Sequence, residues 1–221
     1  NNATLTTISS PRRPATRIWC TTNRDVLVGP GLPGHLWHHL EAICPGGPDL
    51  RWGVMDYRRN CVPGGTYFFT LVTFQRSLLF KDVAAYSLFK RVVAEVKNER
   101  PFDIVAAVVL YDHLHMIWTL PDDDADYSSR WSKIKGQFTR RWIEGGGGEG
   151  EVSDGKHHDD RRGVWQPKFS EHTIRDEADL INHVEYIHYN PVRHGYVACP
   201  KDWRWLSFHA FVKGGDYDEN W

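Results

Sequence analysis

The pattern of apolar and polar positions predicts three strands in the middle of the chain. Residues 66–74 alternate and are rich in β-forming residues, which is typical of a strand. Residues 104–111 form an almost wholly apolar run with many β-branched residues, and this run predicts a strand buried on both faces. A second apolar run, residues 113–120, follows directly after Asp112. The two runs therefore predict either a hairpin or one bent strand.

Two segments carry apolar residues at helical spacing on either side of these runs. Residues 81–98 predict an amphipathic helix that ends at Arg100-Pro101. The expected core positions of this helix are Val83, Leu88, Val92 and Val96. Residues 126–143 predict a second long helix after the paired strands.

A third helix is predicted over residues 176–190. Asp176 is a good N-cap, and acidic residues fill the first turn, where the helix dipole favours them. The apolar stripe of this helix consists of Leu180, Val184 and Ile187. We expect Pro191 to stop the helix and to push Asn190 toward an extended conformation. The full order of elements suits an α+β fold of the ferredoxin-like type, with helices on one face of an antiparallel sheet.

Two histidines and a tyrosine–asparagine pair are the candidate functional residues. Because side chains alternate along a strand, His113 and His115 share one face. Two imidazoles side by side can bind one divalent cation, although two ordinary core or surface histidines are the alternative. Tyr186 and Asn190 are four residues apart and share one face of the third helix. The amide oxygen of Asn190 suits magnesium or manganese. The alternatives are that Tyr186 is an ordinary half-buried aromatic residue and that Asn190 is a turn residue before proline.

Several motifs resemble, in the same order, those of the REP-associated tyrosine transposases, where REP stands for repetitive extragenic palindromic. This family belongs to the HUH single-strand endonucleases, in which HUH means His-hydrophobe-His. The resemblance spans residues 55–221 and is strongest at residues 183–195. The other segments that carry it are residues 56–59, 63–70, 112–121, 128–139, 165–176 and 202–221.

The resemblance implies a role for each candidate residue. It also implies that the third helix is the catalytic C-terminal helix. His113, His115 and Asn190 are expected to bind Mg²⁺ or Mn²⁺, and Tyr186 is the expected nucleophile. Tyr189 competes for that role but lies on a neighbouring face of the helix. Family members nick and rejoin hairpin-containing single-stranded DNA through a covalent 5′-phosphotyrosine. The implied partner is therefore hairpin DNA, bound by a monomer or a homodimer.

The resemblance also divides the chain. Residues 1–54 carry scattered proline and glycine without a sustained period, and Met55 stands where the resemblance begins. We expect residues 1–54 to be an N-terminal extension that is poorly ordered or not native, and residues 55–221 to be the transposase domain. A genuine flexible extension is the alternative.

The overall charge is less basic than that of most DNA-binding proteins. The formal net charge is −1 and the pI is about 6.9, so local basic patches have to supply the phosphate contacts. The expected DNA contacts are Arg58, Arg59, Lys133, Lys135, Arg140, Arg175, Arg193 and His194. For each of these residues, an ordinary position on the solvated surface is the alternative.

Two other function classes remain open at this stage. One is a domesticated protein that binds hairpin nucleic acid without cutting it, and the other is a metal phosphodiesterase that uses water as the nucleophile. The four cysteines show no CxxC spacing, so a zinc ribbon is not predicted. The sequence has no apolar run long enough to span a membrane and no signal-peptide pattern, and we expect a cytoplasmic, nucleoid-associated protein.

Overall fold

The computed structural model describes residues 61–150, 162–219 and 221. The expected extension over residues 1–54 lies outside the described residues, as do Arg58 and Arg59. Within the described part of the chain, no helix is both long and apolar enough to cross a membrane.

Four strands and four helices make up the described structure. The strands are β1 (Thr66–Val72), β2 (Asp103–Val109), β3 (His113–Thr119) and β4 (Ser170–Thr173). The helices are α1 (Val83–Glu99), α2 (Tyr127–Glu144), α3 (Glu177–Arg193) and α4 (Phe208–Gly214). Single 3₁₀ turns lie at Phe74–Arg76, Leu79–Lys81 and Pro200–Asp202.

The strands form one antiparallel sheet in the order β2-β3-β1-β4. This is the ferredoxin-like arrangement, so the predicted fold class is confirmed. The two apolar runs around Asp112 form a hairpin, closed by a 2.8 Å hydrogen bond from the Leu110 amide to the His113 carbonyl. In the central pair, Thr70 on β1 lies opposite His115 on β3.

The two faces of the sheet differ in what covers them. Phe69 points to the face covered by α1 and α2, and its ring packs against Trp131 of α2 at 5.5 Å between centroids. α1 lies beside α2 and contacts it through Phe89 and Phe138, whose centroids are 6.0 Å apart. The prediction of helices packed on one face holds for these two. The predicted C-terminal helix is α3, and it covers the opposite face.

The end of α3 corrects one prediction. Pro191 lies inside the helix, which continues to Arg193, so Asn190 is helical rather than extended. Proline removes a single amide donor, and the helix ends instead where Gly195 adopts a φ of 68°. There the Gly195 amide donates to the Val192 carbonyl at 2.9 Å and the Tyr196 amide to the Pro191 carbonyl at 3.0 Å. This pair of bonds is a Schellman motif, which satisfies the last carbonyls of the helix.

The core stripe of α1 also differs from the expectation. Val92 and Val96 are buried as predicted, but Val83 is 50% exposed. Asp82 is the N-cap, with its side chain accepting a hydrogen bond from the Ala84 amide, so Val83 is the first helical residue and faces solvent. The buried residues of α1 are Ala85, Phe89, Val92, Val93 and Val96.

Candidate active site

His113 and His115 lie side by side on the face of the sheet that α3 covers. Both imidazoles are almost completely buried, and their ring centroids are 5.1 Å apart. The Nδ1 atom of His113 lies 2.6 Å from Oδ1 of Asp112, and the Nδ1 atom of His115 lies 2.8 Å from Oγ1 of Thr70. Each ring is therefore held through Nδ1, which fixes its orientation in the manner common among metal-binding histidines.

The charge on Asp112 is stabilised by its neighbours. Burial favours the neutral carboxyl, but the hydrogen bonds and charges of His113 and Arg76 outweigh it and lower the pKa of Asp112 to about 2. An ionised carboxylate accepts a hydrogen bond from His113 Nδ1, so Nε2 is the ring nitrogen that remains to face a ligand. That Nε2 atom is buried and has no hydrogen-bond partner among the residues that the structure describes. Burial first, and then the charge of His113, hold the pKa of His115 well below its ordinary value, which favours the neutral form of the His115 imidazole.

α3 brings the tyrosine to the histidines. The Tyr186 ring centroid lies 5.3 Å from that of His115 and 5.9 Å from that of Phe68, and the residue is 5% exposed. Asn190 follows four residues later and is 1% exposed. Within the described part of the chain, neither Oδ1 nor Nδ2 of Asn190 has a hydrogen-bond partner. A buried amide without partners is costly, so this side chain is suited to receive a ligand.

These side chains fit a divalent cation by their chemistry. Neutral imidazole nitrogens and an amide oxygen are ligands that Mn²⁺ accepts, and the oxygen also suits Mg²⁺. The unpartnered His113 Nε2 and Asn190 Oδ1 are the specific atoms that a cation would satisfy. Tyr189, the competing candidate, is only half-buried, whereas the Tyr186 ring packs against His115.

Two of the predicted DNA contacts lie next to this site. The His194 ring packs against His113 with 5.0 Å between centroids. The guanidinium carbon of Arg193 lies 5.8 Å from the centre of the Tyr186 ring. Arg193 is half-buried and His194 is exposed, so the carboxyl end of α3 connects the buried site to solvent.

The other described basic candidates lie apart from it. Lys133 pairs with Glu99, and Arg140 lies 4.0 Å from Glu144, both on the side of the sheet covered by α1 and α2. Lys135 donates to the Gln166 carbonyl at 2.7 Å and the Pro167 carbonyl at 3.3 Å, and burial lowers its pKa to about 8. Lys135 therefore holds a loop in place. Arg175, at the start of α3, binds Asp179 through Nε at 3.1 Å.

A second cluster lies on the same face of the sheet as the active-site candidates. His172 of β4 and Asp179 and His183 of α3 each offer one ligand atom, and these atoms lie within 4.8 Å of one another. His172 and His183 stack at 4.7 Å. The group could hold a metal ion, and the ring of His183 lies 4.8 Å from Phe68, which also contacts Tyr186.

Sequence reasoning missed three of these features. It did not identify Thr70 as the partner of His115, because that pairing follows from the register of β1 and β3. It gave Asp112 no role, although a carboxylate directly before a predicted ligand is a usable signal. It also missed the His172–Asp179–His183 cluster. The i, i+4 spacing of Asp179 and His183 was visible, but the position of His172 depends on the pairing of β4 with β1.

Known proteins show which group this chain resembles. A REP-associated tyrosine transposase of Escherichia coli is 41% identical over 167 residues, which cover 75% of this chain and 90% of the relative. A Haemophilus influenzae protein assigned to the same group is 39% identical over 167 residues, 75% of this chain and 92% of the relative. No family model matches the sequence. A solved structure of a REP-associated tyrosine transposase bound to a REP hairpin superposes with a TM-score of 0.63 at 41% identity, covering 76% of this chain and 91% of that one.

Proposed function

This chain belongs to the REP-associated tyrosine transposases, an enzyme family, and we propose that it nicks and rejoins single-stranded DNA at a REP hairpin through Tyr186. The observation that carries the proposal is the packing of the Tyr186 ring against His115, beside a second imidazole with an unpartnered nitrogen. The hairpin bound to the relative of known structure supports this choice of substrate. We further propose that residues 55–221 form the active domain, since the match to the E. coli relative is as long as that segment.

The cation site of the proposal consists of His113, His115 and Asn190. The chemistry of these donors favours Mg²⁺ or Mn²⁺, which would supply Lewis-acid polarisation of a phosphate oxygen when bound. Asp112 and Thr70 orient the two imidazoles through their Nδ1 atoms. Arg76 holds Asp112 in turn, with Nη1 2.9 Å from Oδ2. The residues of this chain thus fix the geometry of the site before any substrate arrives.

The reaction of the proposal is a transesterification in which the number of phosphodiester bonds is conserved. The Tyr186 oxygen attacks phosphorus and loses its proton, and the bond from phosphorus to the 3′ oxygen breaks. The departing 3′ oxygen takes up a proton and becomes a hydroxyl. The 5′ phosphate is now joined to tyrosine, and the 3′ hydroxyl of another strand can reverse the step without ATP.

Access to Tyr186 requires side chains at the carboxyl end of α3 to move. Tyr186, His115 and Asn190 are nearly fully buried, so a phosphate reaches them only when their neighbours make room. Arg193, beside the Tyr186 ring, is the cation placed to meet that phosphate. His194, which is exposed and touches His113, lies at the same opening. We expect both to contact DNA close to the scissile bond.

The test is the detection of a covalent complex between protein and DNA. A labelled single-stranded oligonucleotide that carries a REP hairpin is incubated with the protein and Mn²⁺, and adducts are separated by denaturing electrophoresis. We expect an adduct with wild type and with Tyr189→Phe, and none with Tyr186→Phe. An adduct that persists in Tyr186→Phe overturns the assignment of the nucleophile.

The same assay separates the two alternative classes. A hairpin-binding protein without catalytic activity retards the native oligonucleotide in a gel but neither cuts it nor forms an adduct. A phosphodiesterase that uses water gives a nicked product without an adduct, and Tyr186→Phe still cuts. Only a tyrosine transesterase gives both the adduct and products that join the label to a second strand.

A further inference from the structure

A second set of metal-ligating side chains lies near the amino end of α3, apart from the residues of the proposed reaction. We propose that His172, Asp179 and His183 form a zinc site that joins β4 to α3. The three ligand atoms lie within 4.8 Å of one another, and they come from two different elements. This inference does not rest on DNA cleavage, since zinc binding is measured on the protein alone.

The spacing of the donor atoms suits a small cation. Oδ2 of Asp179 lies 2.9 Å from Nε2 of His172, and Oδ1 of Asp179 lies 3.1 Å from Nδ1 of His183. Tetrahedral ligands at about 2.0–2.1 Å from zinc are about 3.3 Å apart. The two measured distances are therefore a few tenths of an ångström shorter than this spacing, and the ligand atoms of His172 and His183 lie within 4.8 Å of each other. The stacking of the two rings, with 16° between their planes, already brings both imidazoles to one carboxylate.

The types of ligand favour zinc over magnesium. Two imidazoles and one carboxylate are a common donor set for zinc, whereas magnesium prefers oxygen ligands and keeps several waters. Three protein ligands leave a fourth position for water. The proposed active site offers an amide oxygen in place of the carboxylate, so the two sites should differ in the cation that they retain.

In the absence of a cation, the polar atoms of the cluster form hydrogen bonds. Zinc binding must replace some of these hydrogen bonds. Asp179 accepts hydrogen bonds from the Arg175 amide and Nε at 3.1 Å each. The Arg175 side chain is 74% exposed and can swing into water, and the amide bond can remain on the carboxylate. His172 is 31% exposed, so a hydrated ion can approach from its side. His172 Nε2 is hydrogen-bonded to Asp179 Oδ2, and His183 Nδ1 lies 2.8 Å from the Asp179 main-chain carbonyl oxygen. Zinc would replace both hydrogen bonds and release the ring protons that serve them.

The position of the cluster indicates what zinc would stabilise. β4 is a four-residue edge strand, and His172 lies opposite Phe68 of β1. His183 contacts Phe68 and precedes Tyr186 by one turn of α3. A cation shared by His172, Asp179 and His183 would fasten the edge strand to the helix that carries the tyrosine.

The experiment compares zinc content and thermal stability in matched variants of the full chain. Protein stripped with EDTA is loaded with Zn²⁺, dialysed against metal-free buffer and analysed for retained zinc. We expect His172→Gln to retain one equivalent fewer than wild type. The control His209→Gln replaces an exposed histidine, bound through Nε2 to the Trp203 carbonyl at 3.2 Å, and should retain the wild-type amount. Zinc at about 100 times its dissociation constant should raise the melting midpoint of wild type by about 5–10 °C relative to His172→Gln.

Equal zinc retention in wild type and His172→Gln overturns the proposal, whether both retain zinc or neither does. If circular dichroism shows that His172→Gln does not fold, imidazole NMR of wild type replaces it. The ring signals of His172 and His183 should then shift together as zinc is added to EDTA-stripped protein. If these signals stay unchanged after one equivalent of zinc has been added beyond the amount that the proposed active site binds, the proposal is also overturned. None of these readouts involves DNA. The zinc proposal can therefore hold for a protein that forms no adduct, and it can fail for a protein that forms one.

Discussion

Phe68 and Phe69 are neighbours on β1, but they point to opposite faces of the sheet and pack in different surroundings. Phe69 points to the side of α1 and α2, where its ring meets those of Trp118, Tyr127 and Trp131. Phe68, the residue before it, points to the side of α3, where its ring meets those of His115, His183 and Tyr186. The first face is an apolar aromatic core, and the second contains most of the buried histidines in the described part of the chain.

The two faces also differ in the kind of buried polar atom that they hold. Among the described residues, His113 Nε2 and both amide atoms of Asn190 on the α3 face have no hydrogen-bond partner, and neither do the indole nitrogens of Trp118 and Trp131 on the aromatic face. Each such atom costs free energy of folding. The aromatic face supplies the burial of apolar surface that offsets this cost. The proposed function therefore assigns stability mainly to one face of the sheet and chemistry to the other. Substitutions on the two faces should have different effects.

The largest effect is expected from the tyrosine itself. Tyr186→Phe removes the oxygen that we propose attacks phosphorus, so the rate of adduct formation should fall by at least about 1,000-fold. The free energy of unfolding should change by only about 1 kcal/mol, because the ring and its packing remain. Adduct assays and urea unfolding measure the two quantities. A large loss of stability in this variant would mean that residues of the α3 face also contribute strongly to the free energy of unfolding.

The next test uses the two adjacent phenylalanines. Phe69→Ala should lower the free energy of unfolding by about 3–5 kcal/mol, because it leaves a cavity among aromatic rings. The adduct rate per folded molecule should stay within about twofold of wild type. Phe68→Leu should cost less stability, about 1–2 kcal/mol, yet slow adduct formation, because Tyr186 loses a packing partner. Equal kinetic effects of the two substitutions would remove the distinction between the faces.

A smaller effect is expected from the carboxylate that orients His113. Asp112→Asn replaces an ionised acceptor, so the affinity for Mn²⁺ should fall by about 10–100-fold. The Mn²⁺ concentration that gives half-maximal adduct formation measures this change, and a high concentration should restore activity. Asp103→Asn is the control, since that carboxylate is 86% exposed and pairs with Lys97 at 3.4 Å. An unchanged Mn²⁺ dependence in Asp112→Asn would argue against the proposed ligands.

The smallest effects are expected from two cationic residues on opposite faces. Arg193→Met should weaken binding of the hairpin DNA several-fold and reduce the salt dependence by about one phosphate contact. Lys135→Met should leave DNA binding unchanged, because its amine is held by the carbonyls of Gln166 and Pro167. Binding titrations at several salt concentrations check both. A reduced salt dependence in Lys135→Met would assign DNA contacts to the α2 side.

Lys135 also predicts a pH dependence of stability. Burial lowers its pKa to about 8, below the ordinary lysine value of about 10.4. Between these values the unfolded chain binds a proton that the folded chain lacks, so this group increases stability as pH rises. The stability of wild type relative to Lys135→Met should therefore increase from about pH 8 to about pH 10. Lys133→Met, on the same helix and paired with Glu99, is the control.

Local patterns were sufficient to predict β1 to β3, α1 to α3 and the face shared by His113 and His115, but not the short elements β4 and α4. Alternation along a strand and helical spacing are properties of short segments, and the structure has both. The end of α3 was predicted wrongly, because the bonds around Gly195 outweighed the single donor missing at Pro191. A local rule about proline could not include those later residues.

The convergence of distant residues could not be derived from spacing. The contact between Tyr186 and His115 joins segments about seventy residues apart, and only the resemblance to a family indicated it. Thr70 and His172 acquire their partners from sheet register, which depends on how whole strands pair. Lys135 looked like a surface cation because sequence does not reveal that a later loop covers it.

Tyr186 and Asn190 are one turn apart on α3, which continues as a single helix past Pro191. A DNA end joined to that tyrosine is therefore attached to the same rigid body as the amide. If the helix moved outward with its DNA, Asn190 would leave the two imidazoles in the same motion. With the ligands that we propose, we therefore expect the incoming strand to travel to the tethered end, because transport of that end would take Asn190 away from His113 and His115.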